Sequence, residues 1–386
     1  MTTVKLRRNL DYAMYVLFLA AILAAPLVLH DFWLNRIAKF LVYGMLAIAV
    51  SLTWGYGGIL NLGQGLFFGA GAYMLAMSLK LASNTSMQQG SDKPVPDFML
   101  WNAEPGAQTD LCCINRGSFL WIPFQSQWFG VAMGIVLPVL LALLLGFVVF
   151  RKRITGVFVS VITLSLVLLV RLLVIDAQPI TNGFNGLTDL GSFDIGGYDF
   201  DNYGLPTYYL VVGALAVVLI GTRLLTETRA GLVLQSLRDD ENRARYLGFD
   251  VPVYQIFFFA VSAAICGLAG MLYVIVAQFA SPTFMDLSFS ISMVVWAAVG
   301  GRGSLLGACF GALLINTVAA SISETESFVE AWKAIIGIGF VLVVLFLPRG
   351  LAGLAQDMGE ALAARLGGRK TTASAAPLAD APGGSP

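Results

Sequence analysis

Two amide side chains, those of Asn61 and Gln64, interrupt a long apolar stretch of this 386-residue chain. They lie within LTWGYGGILNLGQGLFFGAGAY, from Leu52 to Tyr73, where glycines are frequent. Residues three positions apart share one face of an α-helix, so both amides are expected to line one surface. A second glycine-broken run, VGGRGSLLGACFGALL, extends from Val299 to Leu314. Because paired glycine-interrupted segments mark solute paths in membrane proteins, the sequence predicts such a path beside the amides.

Glycines recur at a four-residue spacing in both runs: Gly65 and Gly69 in the first, and Gly303, Gly307 and Gly311 in the second. This spacing places glycines on one face of a helix and lets a neighbouring helix approach closely. Close packing alone is one explanation. The other is that Gly65 and Gly69 leave clearance for a small solute, to which Asn61 and Gln64 would hydrogen-bond.

The apolar stretches contain no catalytic set of residues. The single histidine, His30, stands alone, and the four cysteines have no metal-site spacing. No paired carboxylates and no nucleophile with an adjacent base occur there. A membrane-embedded enzyme is therefore the weaker hypothesis, and we expect no catalytic residue, metal site or cofactor in this chain.

The composition requires a membrane. Hydrophobic residues make up 58% of the chain and charged residues 12%, with a mean hydropathy of +0.79. Zero formal net charge argues against a nucleic-acid partner. Apolar stretches near the bilayer-spanning length of about 20 residues predict an all-α, polytopic fold with about ten transmembrane helices in one domain. The predicted spans are 12–29, 37–54, 59–80, 128–150, 156–175, 206–225, 254–276, 288–300, 304–322 and 334–347. The eighth is too short for a full crossing, which suggests a broken helix or half of a re-entrant pair with the ninth.

Loop charges predict the orientation. Basic residues cluster in Arg151–Arg153 and between Arg223 and Arg245, on one side if the spans alternate, and the positive-inside rule makes that side cytoplasmic. Both termini are then cytoplasmic, and the long loop 82–127 is extracytoplasmic. The predicted organisation is a cytoplasmic N-terminus 1–11, a transmembrane region 12–354, and a cytoplasmic tail 355–386 that is disordered from about residue 371.

The cytoplasmic segment 226–253 has the charge pattern of a folded surface helix. Asp239, Asp240 and Glu241 are expected to open a short helix, which Gly248 closes, so the acidic end matches the helix dipole. A solvated connector is the simpler interpretation of such a charge run. A docking site for a partner is the alternative, and it is favoured because the chain has no nucleotide-binding loop and no membrane-embedded acid or histidine of the kind proton relays use.

Five motifs in order resemble one family of membrane proteins: the permeases of bacterial ABC importers for branched-chain amino acids and urea. They are WGYGGILNLGQGLFFGAGAY, TNGFNGLTDL, SLRDDENRARYLGFD, WAAVGGRGSLLGACFGALLIN and VLFLPRGLAGL. The motifs PVPDFMLWN, WIPFQSQW and FRKRITGVFVSVIT resemble the urea branch, and within it the second permease subunit.

The resemblance implies an inner-membrane subunit that forms half of a translocation path. Its implied partners are a homologous second permease, two cytoplasmic ATPase subunits that consume the ATP, and a periplasmic substrate-binding protein. The ATPase contact would then be the segment Arg238–Gly248, with Arg238, Asp239, Asp240, Glu241 and Gly248 as the coupling residues. Where many relatives carry Ser-Leu-Gly-His-Gly, this chain has Asn61-Leu62-Gly63-Gln64-Gly65. Gln64 cannot titrate near neutral pH, which excludes a role in imidazole protonation.

The near absence of charge within the spans favours urea as the solute. Urea is neutral and rich in N–H donors, so its path needs amide and carbonyl acceptors and no buried ion. A zwitterionic amino acid would need charged or helix-end partners. A branched-chain amino acid or a short amide remains the alternative cargo, and an ATP-independent channel the alternative mechanism.

Overall fold

The computed structural model describes residues 2–83, 85–86, 95–96, 121–323, 337 and 350–353. Helices dominate these ranges, which confirms the predicted all-α class. Three predicted features fall largely or wholly outside the described residues: the tenth span at 334–347, most of the loop 82–127, and the tail 355–386.

The helices are, in chain order, α1 Thr2–Ala24, α2 Asp31–Val50, α3 Gln64–Ser83, α4 Gln127–Arg151, α5 Val157–Asp176, α6 Gln178–Thr181, α7 Leu205–Glu227, α8 Arg229–Asp239, α9 Glu241–Tyr246, α10 Val251–Ala277, α11 Leu287–Gly300 and α12 Leu305–Ser323. A π-helical turn, Ser51–Tyr56, continues α2. Short 3-10 turns cover Ala25–Leu27, Ile122–Gln125, Gly183–Asn185 and Pro282–Met285. Two small antiparallel hairpins pair β1 Thr85–Ser86 with β2 Val95–Pro96, and β3 Phe193–Ile195 with β4 Tyr198–Phe200.

Six helical segments in the described ranges are long and apolar enough to cross a bilayer, as judged by length and composition: Asp31–Tyr56, Gln127–Arg151, Val157–Asp176, Leu205–Glu227, Val251–Ala277 and Leu305–Ser323. Two shorter apolar segments, Tyr12–Leu27 and Leu287–Gly300, accompany them. The second of these is α11, the predicted eighth span. Its 14 residues rise only about 21 Å, against about 30 Å of bilayer hydrocarbon, so α11 is too short to cross.

The core lies around α10, which packs against α3, α4 and α2. The apolar windows of α2 and α10 are 78% buried, whereas that of α5, at the periphery, is 22% buried. Glycines bring α3 and α10 into backbone contact: a Cβ on Gly71 would lie 2.6 Å from Gly267 Cα, and one on Gly270 would lie 2.9 Å from Ala72 N. Such small-residue contacts are how membrane helices associate without a hydrophobic driving force.

The bundle has two distinct ends. One, the α8 end, collects α8, α9, the π-helical turn and the turn 301–304 between α11 and α12. There Ser51 Oγ donates to Arg302 O at 2.7 Å, and Arg238 Nη1 donates to Gly55 O at 2.8 Å. The other, the hairpin end, collects β3, β4 and the loop after α10, where Leu187 and Ala280 exchange backbone hydrogen bonds of 2.8 and 2.9 Å.

The motif TNGFNGLTDL (residues 181–190) builds this hairpin-end contact. Thr181 Oγ1 donates to Val174 O and to Ala177 O, and Asn182, at φ +60°, donates from Nδ2 to Gly186 O at 2.8 Å. Gly186 also has a positive φ, and a Cβ there would lie 3.0 Å from Ser281 Cα. The motif therefore folds into a tight turn that holds the segment after α10.

Candidate functional site

Asn61 and Gln64 do not share a helix face, because α3 begins at Gln64. The predicted span 59–80 is wrong at its start: residues 57–63 are not helical, and Gly58 has φ +69°. This segment leaves the α8 end and leads into the buried start of α3. Asn61 and Gln64 are each only 1% exposed. The prediction that the two amides share one helix surface is thus wrong, because the chain becomes helical only at Gln64.

Polar side chains of α5 satisfy the backbone of the broken segment. Ser160 Oγ donates to Leu60 O at 2.7 Å, and Leu62 N donates to Thr163 Oγ1 at 3.2 Å. Asn61 Oδ1 accepts from Gly63 N at 2.8 Å. Non-helical backbone at this depth is tolerated only where protein supplies such partners. Helix α5 therefore stabilises the non-helical segment before α3.

Both ends of the Gln64 amide are used in helix packing. Nε2 donates to Ser262 Oγ at 2.8 Å, and Oε1 accepts from Cys266 Sγ at 3.0 Å. Ser262 Oγ in turn donates to Ala49 O at 3.0 Å. Gln64 consequently ties α3 to α10, and through Ser262 to α2, and its amide has little capacity left for a solute in this arrangement.

Gly65 and Gly69 face the segment between α10 and α11. A Cβ on Gly65 would lie 2.6 Å from Phe284 O, and a Cβ on Gly69 would lie 2.5 Å from Met285 Cε. The Phe284 ring is held by the rings of Phe68 and Tyr273, each with its centroid 5.2 Å away. The two glycines thus accommodate a second chain break, residues 278–286, which reaches into the bundle from the hairpin end.

One residue of this region had no signal in the sequence. Ser290, in the first turn of α11, is 1% exposed, and its Oγ lies 3.1 Å from the position of a Gly65 Cβ. Neither Ser290 Oγ nor Asn61 Nδ2 has a hydrogen-bond partner within the described part of the chain. A serine in an apolar helix is common, so only its position opposite α3 distinguishes it.

The charged segment 226–253 forms two helices rather than one. Asp240 caps α9, accepting from Asn242 N at 3.0 Å and from Arg243 N at 3.1 Å. Glu241 begins α9, and Gly248, at φ +88°, follows its end. These three roles match the predicted helix opening and closing. Asp239 instead ends α8, where it pairs with Arg238 at 3.0 Å, because Asp240 adopts an extended conformation that separates the two helices.

Within this pair of helices, Arg238 points toward the membrane bundle. Besides its bond to Gly55 O, its Cγ lies 3.1 Å from the position of a Gly58 Cβ, and Leu234 Cδ1 lies 3.0 Å from that of Gly57. By contrast, Tyr246 and Leu247 at the end of α9 are 91% and 76% exposed. Helix α8 therefore rests on the start of the broken segment, while α9 presents an apolar surface outward.

A cavity of about 470 Å³ opens beside this contact, and Trp54, Arg238 and Arg302 contribute to its walls. The Arg302 guanidinium lies 5.4 Å from the Trp54 ring centroid. Across the described ranges no cluster of three or more His, Cys, Asp or Glu residues could hold a metal ion.

Comparison with known proteins gives a family match over most of the chain. Residues 32–344 match the family model described as "Branched-chain amino acid transport system / permease component". The chain is 26% identical to the high-affinity branched-chain amino acid transport system permease protein LivM of Escherichia coli K12, over 87% of this chain and 74% of that protein. It is 28% identical to the protein of the same name from Salmonella typhimurium, over 54% of this chain and 53% of that protein. It is 23% identical to the ribose import permease protein RbsC of Haemophilus influenzae, over 57% of this chain and 69% of that protein. No solved structure gives a significant match.

Proposed function

Because the chain belongs to the family of permease components of branched-chain amino acid transport systems, we propose that it forms half of the translocation path of an ATP-driven importer of aliphatic amino acids. It is a multi-pass inner-membrane permease and not an enzyme. The observation that carries the proposed path is the start of α3 inside the bundle, where Gly65 and Gly69 face the second break at residues 278–286.

Two observations favour an amino acid over urea. Both LivM relatives are named for branched-chain amino acids, and none of the relatives described above is named for urea. In addition, the preference for urea rested on the near absence of charge within the spans, although a helix end can serve a zwitterionic amino acid in place of a charged residue. Helix α3 begins inside the bundle, and its positive N-terminal end is the partner that a carboxylate needs. The urea branch remains the competing hypothesis.

Under this proposal, the set of residues predicted to line the solute path changes. Gly65 and Gly69 stay beside the path because they face residues 284 and 285, and Asn61 stays with them as a buried residue three positions before α3. Gln64 acts as a packing residue that fixes α3 against α10. Movement of the segment 278–286 away from Gly65 and Gly69 would open the space that the glycines create.

We propose that α8 and α9 transmit the action of two ATPase subunits. The exposed Tyr246 and Leu247 supply an apolar docking surface, and Arg238 ties α8 to Gly55. From Gly55 the chain runs through residues 57–63 directly to the start of α3. A shift of α8 would therefore move the broken segment, which is a contiguous physical route from the docking surface to the path.

Family membership also supports the remaining partners of this proposal. A homologous second permease would complete the path, and a periplasmic binding protein would deliver the solute to the hairpin end. The α8 end is then cytoplasmic, together with both termini. ATP is consumed by the partner subunits, and this chain itself needs no cofactor.

Reconstitution of the complete complex tests the proposal. Proteoliposomes containing both permeases and the ATPases, supplied with the binding protein, are expected to accumulate labelled leucine only when ATP is present. Labelled urea and ribose serve as competing solutes in parallel samples. Accumulation of urea but not leucine would move the chain to the urea branch, and flux without ATP would indicate a channel.

A further inference from the structure

We infer that the buried start of α3 is a binding site for the carboxylate of the transported amino acid, formed by Asn61, Ser290 and the backbone N–H groups of Gln64 and Gly65, since that of Leu66 already donates to Gly63 O at 3.0 Å. This inference rests on the proposed function, and it names the group of the solute that the chain recognises. It assigns Ser290, on the facing helix α11, a role that the sequence did not suggest.

The start of α3 lacks the usual cap. The first turn of a helix has backbone N–H groups without an internal acceptor, and a side chain of the preceding residue commonly accepts from them. Residue 63 is a glycine and has no side chain to do so. Among the described α-helices, α8, α9 and α11 have such a cap, from Thr228, Asp240 and Asp286, whereas α2, α4, α5, α7 and α10 also begin without one.

Two buried donors belong to elements that meet the start of α3. Ser290 Oγ lies 3.1 Å from the position of a Gly65 Cβ, and Asn61 stands three positions before α3; within the described ranges neither Ser290 Oγ nor Asn61 Nδ2 has a hydrogen-bond partner, and each residue is 1% exposed. Burying a polar group without a partner is costly, so such a group needs a specific explanation. Asn61 Oδ1 already accepts from Gly63 N, which leaves its amide N–H groups as donors. Donors on two facing elements, beside the positive end of a helix, suit an anionic acceptor.

The charges around the site favour α3 over α11 as the anion-binding end. Asp286 sits at the start of α11, where its negative charge offsets the positive end of that helix. The start of α3 has no acidic neighbour on its own element, since the residues from Gly57 to Gly65 are uncharged. A carboxylate is therefore better accommodated against Gly65 than against Leu287.

The surroundings suit an aliphatic side chain on the same solute. One turn along α3 from Gly65, the absent side chain of Gly69 is replaced by Met285, whose Cε occupies that space. Methionine is flexible and yields space readily. When the segment 282–285 withdraws, an apolar side chain can take the place of Met285 while the carboxylate meets the start of α3. The site would thus suit a solute that carries a carboxylate next to an aliphatic side chain.

The test compares Ser290→Ala with Ser292→Ala in the complete reconstituted complex. Both serines lie on α11, but Ser292 Oγ donates to Ser288 O at 2.8 Å within the helix. Ser290→Ala is expected to lower leucine uptake per folded complex about tenfold, which corresponds to ~1.4 kcal/mol and is near the value of a hydrogen bond to a charged group. Ser292→Ala is expected to remain within about twofold of the parent.

A second measurement separates binding from folding. Leucine is expected to raise the unfolding midpoint of the solubilised parent complex, and leucinamide, which lacks the carboxylate, is not. Ser290→Ala and the isosteric Asn61→Asp, which places a like charge at the site, should both lose the leucine effect. An equal midpoint shift by leucine in the variants and the parent, an equal shift by leucinamide, or no shift in the parent would overturn the site. If the parent complex imports leucine and both variants import it equally well, the proposed function is retained and the carboxylate site is refuted. If the parent complex imports urea or ribose instead of leucine, both the proposed function and the carboxylate site are refuted.

Discussion

Removing the guanidinium of Arg238 is expected to uncouple ATP hydrolysis from uptake. Arg238→Met keeps an unbranched stem against Gly58 but loses the hydrogen bond to Gly55 O. The Arg238 side chain is 42% exposed, and its partner Asp239 is 69% exposed, so their ion pair contributes little. The bond to Gly55 O is the hydrogen bond by which Arg238 joins α8 to the π-helical turn that precedes the broken segment.

The expected size of the effect follows from the loss of the hydrogen bond between Arg238 and Gly55 O. A hydrogen bond from a charged donor contributes about 1.5–3 kcal/mol, and partial solvent exposure places this one near the lower value. A loss of ~1.5 kcal/mol shifts the equilibrium between seated and released α8 about tenfold. The ratio of leucine imported to ATP hydrolysed should therefore fall by up to about tenfold, while the amount of folded complex stays close to that of the parent.

The assay measures uptake and ATP hydrolysis in the same proteoliposomes. Arg243→Met is the matched control, because Arg243 is 86% exposed and pairs with Asp240 across one turn of α9. Its transport ratio should match the parent. A parental ratio in Arg238→Met, or an equal loss in both variants, would refute the role assigned to the bond with Gly55.

Three further predictions concern packing and capping. Gly71→Leu should abolish the folded complex because it separates α3 from α10, whereas Gly213→Leu, at a position with open space around it, should leave the yield unchanged; size-exclusion chromatography of the solubilised complex distinguishes them. Gln64→Leu removes two buried hydrogen bonds, worth about 0.6 kcal/mol each between membrane helices, so the unfolding midpoint should drop slightly while uptake per folded complex is retained; a loss of uptake at normal yield would return Gln64 to the solute path. Asp240→Ala removes the cap of α9 at a cost of about 1 kcal/mol, and faster proteolysis of the segment between α8 and α10 would reveal it; parental resistance would contradict the capping role.

Hydropathy and charge are sufficient by themselves to determine the structural class of this protein. A chain that is 58% hydrophobic must place its helices in a membrane, and the short apolar run at 288–300 correctly indicated a helix too short to cross. The opening of α9 at Asp240 and Glu241 was also predictable, because capping and dipole effects act over a few neighbouring residues. Such local effects can be predicted from a sequence.

Only the tertiary structure decided which polar residues belong to the path. Hydropathy describes an apolar run as one continuous span whether or not the backbone leaves the helix within it. The start of α3 at Gln64 could therefore not be predicted from hydropathy. The break depends on Ser160 and Thr163, about a hundred positions away in sequence, which satisfy its backbone. Likewise, Gln64 became a packing residue because Ser262 and Cys266 lie opposite it, and Ser290 became a site candidate because it faces Gly65. Hydrogen bonds between distant segments depend on how the helices pack, and no local pattern in the chain encodes them.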